Sequence, residues 1–174
     1  MFSFTEKYFS PLLLGSEFKA TQALTDDSMS VKINPKTHDV TAAYVFEEAE
    51  LDIVIRLPSC FPLKLIEVSS GAGGGRQAGI NDARWRGWLL AISSVMIGHN
   101  GSVADALSLF KKNVSMHFEG IEDCAICYSV ISLADRSTPQ KPCRVCKHVF
   151  HGSCLFKWFK SSNSNLCPLC RQPI

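Results

Sequence analysis

No apolar run in this 174-residue chain approaches the ~20 residues needed to cross a bilayer. The opening MFSFTEKYFS also lacks the basic segment of a secretory leader. Both absences point to a cytoplasmic protein with no membrane partner, in which the sequons at Asn100 and Asn113 stay silent. Glycines crowd SSGAGGGRQAG at 69–79, but no Gly-Lys-Ser/Thr follows them and no helix pattern begins on them. That excludes a phosphate-binding loop and leaves a flexible connection. No nucleophile is paired with a recognisable base, so covalent chemistry on this chain is unsupported. Cysteine is nearly absent from the first two thirds: Cys60 stands alone there and reads as a small buried residue.

The other seven cysteines fall within the last third, where Cys124-x2-Cys127, Cys143-x2-Cys146, His151-x2-Cys154 and Cys167-x2-Cys170 give four donor pairs. A two-residue spacer lets one tight turn aim both donors at the same ion. Zinc takes four N or S donors in a tetrahedron, so two pairs close one structural site and four pairs predict two zinc ions. A disulfide framework is the competing reading. The histidine at ligand spacing, the odd number of cysteines and the missing leader argue against it. The second pair has a rival in Cys146-x-His148, which would leave Cys143 idle. Cys143 is preferred because its spacing repeats that of the other pairs, and a spare thiol beside zinc invites mis-ligation.

Charge is almost balanced but unevenly placed. Residues 1–119 carry 11 basic and 13 acidic side chains, and residues 120–174 carry seven and three. Ligating thiolates offset the basic excess of the second part, so a basic-tail reading fails. What remains is local: Lys141, Arg144, Lys147, Lys157 and Lys160 offer either a face for phosphate or acidic protein, or a solvated surface.

The first part alternates between helical and strand periodicity. Phe4, Tyr8, Leu12, Leu13 and Phe18 predict a helix over 4–23, broken or kinked at Pro11, and TDDS at 25–28 reads as a loop. Val31 and Ile33, VTAAYVF at 40–46, the alternation of Leu51, Ile53, Ile55 and Leu57, and LKLIEV at 63–68 predict four strands. Links this short imply an antiparallel meander. Asn81-Asp82 then opens a helix lined by Trp85, Trp88, Leu89, Ile92 and Met96, with the tryptophans as core. Residues 98–101 break it, and Ser102 caps a second helix lined by Val103, Ala106, Leu107, Phe110 and Val114. The fold class is α+β: an N-terminal helical segment (1–25), a sheet-and-helix domain (26–119) and a small two-zinc domain (120–174).

Leu57-Pro58, Phe61-Pro62 and the later tryptophan-bearing helix resemble an RWD domain, a sheet-and-helix interaction module. The family's Tyr-Pro stands here as Phe61-Pro62, and its later third proline is absent. WRGWLL at 85–90, FEGIEDCAICYSVI at 118–131 and FHGSCLFKWFKSSNSNLCPLC at 150–170 extend the likeness. Through them residues 30–174 are similar to the C-terminal end of the listerin family, ribosome-associated ubiquitin ligases of the RING type. That family's helical-repeat scaffold is missing here, which implies a fragment.

The resemblance implies crosswise wiring, with Cys124, Cys127, His151 and Cys154 on one zinc and Cys143, Cys146, Cys167 and Cys170 on the other. It implies a ligase that works by scaffolding, gripping a ubiquitin-conjugating enzyme through Ile126, Trp158 and Pro168. Arg171 becomes the linchpin that holds the ubiquitin-loaded enzyme closed. The implied partners are that enzyme, ubiquitin, and the large (60S) ribosomal subunit carrying a stalled nascent chain, with an rRNA contact left open. Two rivals stand beside this reading. A PHD-type histone reader shares the ligand order but usually has an aromatic where this chain has Asn165. A non-enzymatic zinc interaction module is the other.

Overall fold

Short-range hydrogen bonding sets the element boundaries. The computed structural model describes residues 2–98 and 101–174, so Asn100 and part of the break expected at 98–101 lie outside the described residues. Two compact units emerge: Met1–Phe46 with Glu50–His117, and Glu47–Ala49 with Phe118–Ile174.

In the first unit the expected single helix is two, α1 (Phe2–Tyr8) and α2 (Ser10–Gln22). The interruption falls at Phe9, before Pro11, because proline is tolerated in the first turn of a helix, where its missing N–H is not needed. Asp26 then organises the turn into the sheet, its carboxylate accepting the N–H groups of Ser28 and Met29 at 2.9 Å each. Four strands follow in the order β1-β2-β3-β4: β1 (Met29–Asn34), β2 (Asp39–Phe46), β3 (Ala49–Arg56) and β4 (Glu67–Ser70). β1 runs antiparallel to β2 with Val31 opposite Ala42, and β3 runs antiparallel to β4 with Ile55 opposite Val68. The meander expected from short links is therefore present. The alternation along β3 buries Leu51, Ile53 and Ile55 completely, as a sheet with one core face requires.

Two expectations fail locally. Residues 63–66 are not strand; Leu63 N–H closes a turn onto Cys60 C=O at 2.9 Å, and pairing starts only at Glu67. Leu63 and Leu65 are exposed, so their hydrophobicity marks surface and not a buried strand face. The glycine-rich segment, expected to be a slack loop from residue 69, begins with two β4 residues and includes a short 3-10 helix, Gly75–Ala78. Asp52 ties it down: its carboxylate accepts the N–H groups of Ala72, Gly73 and Gly74 at 2.6–3.1 Å. A side chain at Gly71 would collide with the Asp52 carboxylate, and one at Gly73 with the Glu50 carbonyl and then with Asp52, which is why glycine is needed at both.

Helices α3 (Asp82–Gly98) and α4 (Val103–Phe118) complete the unit. Asn81 caps α3 through Arg84 N–H at 2.8 Å. Ser102 and Asp105 cap α4 reciprocally, with Asp105 N–H to Ser102 Oγ at 3.1 Å and Ser102 N–H to Asp105 Oδ2 at 2.9 Å. Val103, Ala106, Leu107, Phe110 and Val114 are all fully buried, so the helical stripe read from sequence is the core face. Each larger side chain there contributes roughly 1.5–3 kcal/mol of burial. Trp85 is core, meeting Phe110 edge-on at 6.2 Å and donating its indole N–H to Ser70 Oγ at 3.2 Å, whereas Trp88 is only half-buried. Cys60 is buried.

Candidate metal centres

The second unit has little regular structure: a two-stranded ribbon, β5 (Lys141–Pro142) with β6 (Val149–Phe150), and one helix, α5 (Gly152–Ser162). Its order comes from a turn used three times. Tyr128, Lys147 and Arg171 each donate their N–H to the C=O of Cys124, Cys143 and Cys167 respectively, at 2.7, 3.1 and 3.0 Å. Those three cysteines donate in turn to the carbonyls of Ser129, His148 and Gln172 at 3.1, 2.9 and 2.8 Å. Tyr128, Lys147 and Arg171 all adopt left-handed backbone, with φ of 57°, 65° and 57°. No glycine or asparagine stands at these positions to advertise the conformation, so sequence inspection misses it. The common pair spacing was the only signal available.

The fourth pair is built differently. His151 is the extended N-cap residue of α5 and Cys154 lies in its first turn, so the helix start sets their separation. His151 is wholly buried; its Nε2 lies 3.1 Å from the Val130 carbonyl, and its Nδ1 faces Cys127 Sγ at 3.3 Å and Cys154 Sγ at 3.8 Å. A proton on Nε2, donated to that carbonyl, leaves Nδ1 as the free donor, the arrangement that orients a metal-binding imidazole.

The pairs converge crosswise. Cys124, Cys127, His151 and Cys154 bring four donor atoms within 4.8 Å of one another, and Cys143, Cys146, Cys167 and Cys170 do the same. Cys143 and Cys170 sulfurs are 3.6 Å apart, and Cys146 and Cys167 sulfurs 3.7 Å. With metal–sulfur bonds of about 2.3 Å, a regular tetrahedron has sulfur–sulfur edges of about 3.8 Å. All eight cysteines are free thiols, not a disulfide framework. His148 is exposed, with its Nδ1 3.1 Å from the Cys146 carbonyl, and occupies the carbonyl position of the second turn, as Ser129 and Gln172 do in the others.

Electrostatics favour a cation in both clusters. The Cys146 N–H holds the Cys143 thiol down to about 6, while burial and the neighbouring sulfurs push Cys146 up to about 12. Burial also pushes Cys124 up, but the N–H groups of His151, Cys127 and Ile126 outweigh it and leave that thiol lowered. Burial and the charge on Cys124 drive Cys154 to about 12. The three sulfurs of the first set and the four of the second cannot all ionise at such close range unless a positive ion compensates them, so the donor sets fit a thiolate-binding metal such as zinc.

Around these centres the apolar side chains divide. Phe150 and Leu155 are buried with Cys124, Cys143 and Cys167, and Phe159 packs against that cluster. Trp158, one residue earlier on α5, stays 36% exposed, its indole N–H donated to the Leu166 carbonyl at 3.0 Å. Ile126 and Pro168 are half-buried within the first and third turns, and Arg171 is exposed. Val145, at the position in the second turn that Ile126 and Leu169 hold in theirs, is also exposed and was not singled out from sequence. Lys141, Arg144, Lys147, Lys157 and Lys160 are all exposed as well.

Known proteins share both parts. Residues 29–117 match the family described as ubiquitin conjugating domain-like, and residues 122–171 match the ring finger domain. The chain is 44% identical, over 97% of its length, to the E3 ubiquitin-protein ligase listerin of Schizosaccharomyces pombe. It is 42% identical over 98% to that of Saccharomyces cerevisiae and 43% identical over 97% to that of Gallus gallus. It spans only 11%, 11% and 10% of those relatives' lengths. Among the described residues no helix is long and apolar enough to cross a membrane.

Proposed function

Because the chain belongs to the ubiquitin conjugating domain-like family through residues 29–117, and carries a ring finger in the arrangement of the listerin ligases, we propose that it is the conjugating-enzyme-activating part of a RING-type E3 ubiquitin ligase. The observation that carries this reading is the third metal-binding turn, which presents Arg171 to solvent from the same short segment that accepts the Trp158 indole N–H. Cys124, Cys127, His151 and Cys154 would hold one zinc, and Cys143, Cys146, Cys167 and Cys170 the other. Each ion would be closed by four protein ligands, supplying rigidity and leaving no position for substrate.

Ile126, Trp158 and Pro168 form the contacts to a ubiquitin-conjugating enzyme. Arg171 supplies several donors in a rigid fork and bridges carbonyls of that enzyme and its attached ubiquitin. Restricting the loaded enzyme to one arrangement exposes its thioester to a substrate amine; the amine attacks the thioester carbonyl and the enzyme's thiol departs. The ligase itself forms no covalent bond, consistent with the burial of Cys60, the one thiol outside the clusters. Residues 26–119 serve as a docking domain and 120–174 as the RING. The likeness to the listerin family supports docking on the large ribosomal subunit, ubiquitination of stalled nascent chains and a cytoplasmic location.

Ubiquitin discharge from a loaded conjugating enzyme tests the mechanism. Trp158→Ala removes an apolar anchor, and truncating an interface tryptophan commonly weakens binding by about 30-fold or more. It is expected to abolish discharge with metal content unchanged. Arg171→Asn keeps a residue that tolerates left-handed backbone but removes the guanidinium. It is expected to slow discharge while binding the unloaded enzyme normally. Full activity in both variants would defeat the mechanism.

A further inference from the structure

Residues 165–174 fold back on themselves around the third metal-binding turn. Cys167 N–H donates to Gln172 C=O at 2.8 Å, and Ile174 N–H reaches Asn165 C=O at 3.5 Å. Between these two bonds Leu166 and Pro173 face each other as an antiparallel bridge. In an antiparallel ladder such a pair exchanges no hydrogen bond, and its backbone groups point outward. Pro173 therefore sits where its missing N–H costs nothing. Leu166 C=O is left free to point away from the hairpin, and it accepts the Trp158 indole N–H at 3.0 Å. Arg171 is fixed by the same hairpin, through its N–H to Cys167 C=O at 3.0 Å and its left-handed φ of 57°.

What closes the hairpin is Ile174. Half-buried, it packs against the cluster of Cys124, Cys143, Phe150, Leu155 and Cys167, whereas Arg171, Gln172 and Pro173 are exposed. A shift of register between 165–167 and 172–174 would turn the Leu166 carbonyl inward and withdraw the acceptor from Trp158. It would displace Arg171 at the same time.

We propose that Ile174 is a positioning residue: by anchoring the 165–174 hairpin on the metal-centre core, it sets the Trp158 indole and the Arg171 guanidinium in one fixed frame. It touches neither partner itself and acts through the Leu166 carbonyl and the Arg171 backbone. The functional consequence rests on the reading of Trp158 and Arg171 given above, but the structural link does not.

The test uses the full chain with metal bound, and its first arm involves no conjugating enzyme. The indole N–H resonances of Trp85, Trp88 and Trp158 are resolved by NMR, Trp158 being assigned with Trp158→Phe, and their hydrogen exchange is timed. Ile174→Ala is expected to speed Trp158 indole exchange at least about tenfold, with Trp85 unchanged and both metals retained; Ile174→Val, one methyl smaller than wild type, speeds it by less. In the second arm, Trp158→Phe keeps an aromatic side chain but loses the N–H donor together with the smaller ring of the indole, and weakens conjugating-enzyme binding about fivefold or more, one hydrogen bond alone being worth about that much. Ile174→Ala matches the hydrogen-bond part of that loss and also slows discharge of the loaded enzyme. Unchanged Trp158 exchange in Ile174→Ala with metal retained would overturn the proposal. If Ile174→Ala sheds metal, the smaller Ile174→Val truncation decides: slower discharge with metal retained supports the clasp, and metal loss there too makes Ile174 a plain stability residue. Wild-type protein with a protected Trp158 indole that binds no conjugating enzyme would refute the ligase reading while leaving the positioning role standing.

Discussion

Removing the metals should unfold the second unit and spare the first. The buried cluster of the second unit consists of Phe150 and Leu155 plus three cysteines that are themselves donors. With Phe118, Val130 and Ile131, also buried in this unit, five such side chains are worth about 8–15 kcal/mol in total. Structural zinc contributes about 10–16 kcal/mol per site at neutral pH, so metal dominates the stability of this unit. The first unit has its own core, with Leu51, Ile53, Ile55, Leu107 and Phe110 wholly buried and no donor cluster among the described residues. Chelation followed by circular dichroism and hydrogen exchange should show loss of protection across 120–174 while α4 and the sheet stay protected. Ligand identity follows from the same sample. Cys143→Ser removes a buried donor 3.6 Å from Cys170 Sγ, and should weaken the second site by about 100-fold, since the binding energy is divided over four donors. His148→Ala removes an exposed ring, and elemental analysis should still find two zincs per chain. One zinc in wild type, joint melting of both units, or metal loss in His148→Ala but not Cys143→Ser would each refute the reasoning.

Acid sensitivity of the first unit is a further consequence. Hydrogen bonds from Lys111, Arg56 and Ser102 hold Asp26, Asp39 and Asp105 respectively below the usual carboxylate range. A carboxyl depressed in the folded state stabilises above its ordinary pKa, near 3.8 for these groups, and that stability is lost as pH falls through the depressed values. Thermal melts of residues 1–119 should therefore be flat above about pH 5 and decline below about pH 4; a flat profile down to pH 2 would show that these bonds do not form in solution. For docking, residues 1–119 alone should compete with the whole chain for large ribosomal subunits. Lys111 is engaged with Asp26, so Lys112→Glu is the cleaner probe of a phosphate contact, expected to weaken binding and lower its salt dependence. Competition by 120–174 alone would move the docking surface to the RING.

What could be read from the chain without coordinates was whatever local chemistry dictates. The β3 alternation, the α4 stripe and the caps at Asn81 and Ser102 depend on neighbours one to four residues apart, so periodicity and side-chain type sufficed. The donor pairs were legible for the same reason, since a two-residue spacer constrains geometry within one turn. Other features needed the tertiary structure. The Asp52 clamp on the glycine loop joins groups about twenty residues apart, and nothing in either segment announces the other. The late start of β4 was decided by a turn at Cys60–Leu63, against a hydrophobic pattern that favoured strand. The left-handed backbone at Tyr128, Lys147 and Arg171 goes against residue preference and exists because the paired sulfurs must converge. Trp158 and Phe159, adjacent and both aromatic, are separated in role only by which face of α5 meets the core. The tail hairpin that aims the Leu166 carbonyl at Trp158 likewise follows from strand register, a property of two segments pairing and not of either alone.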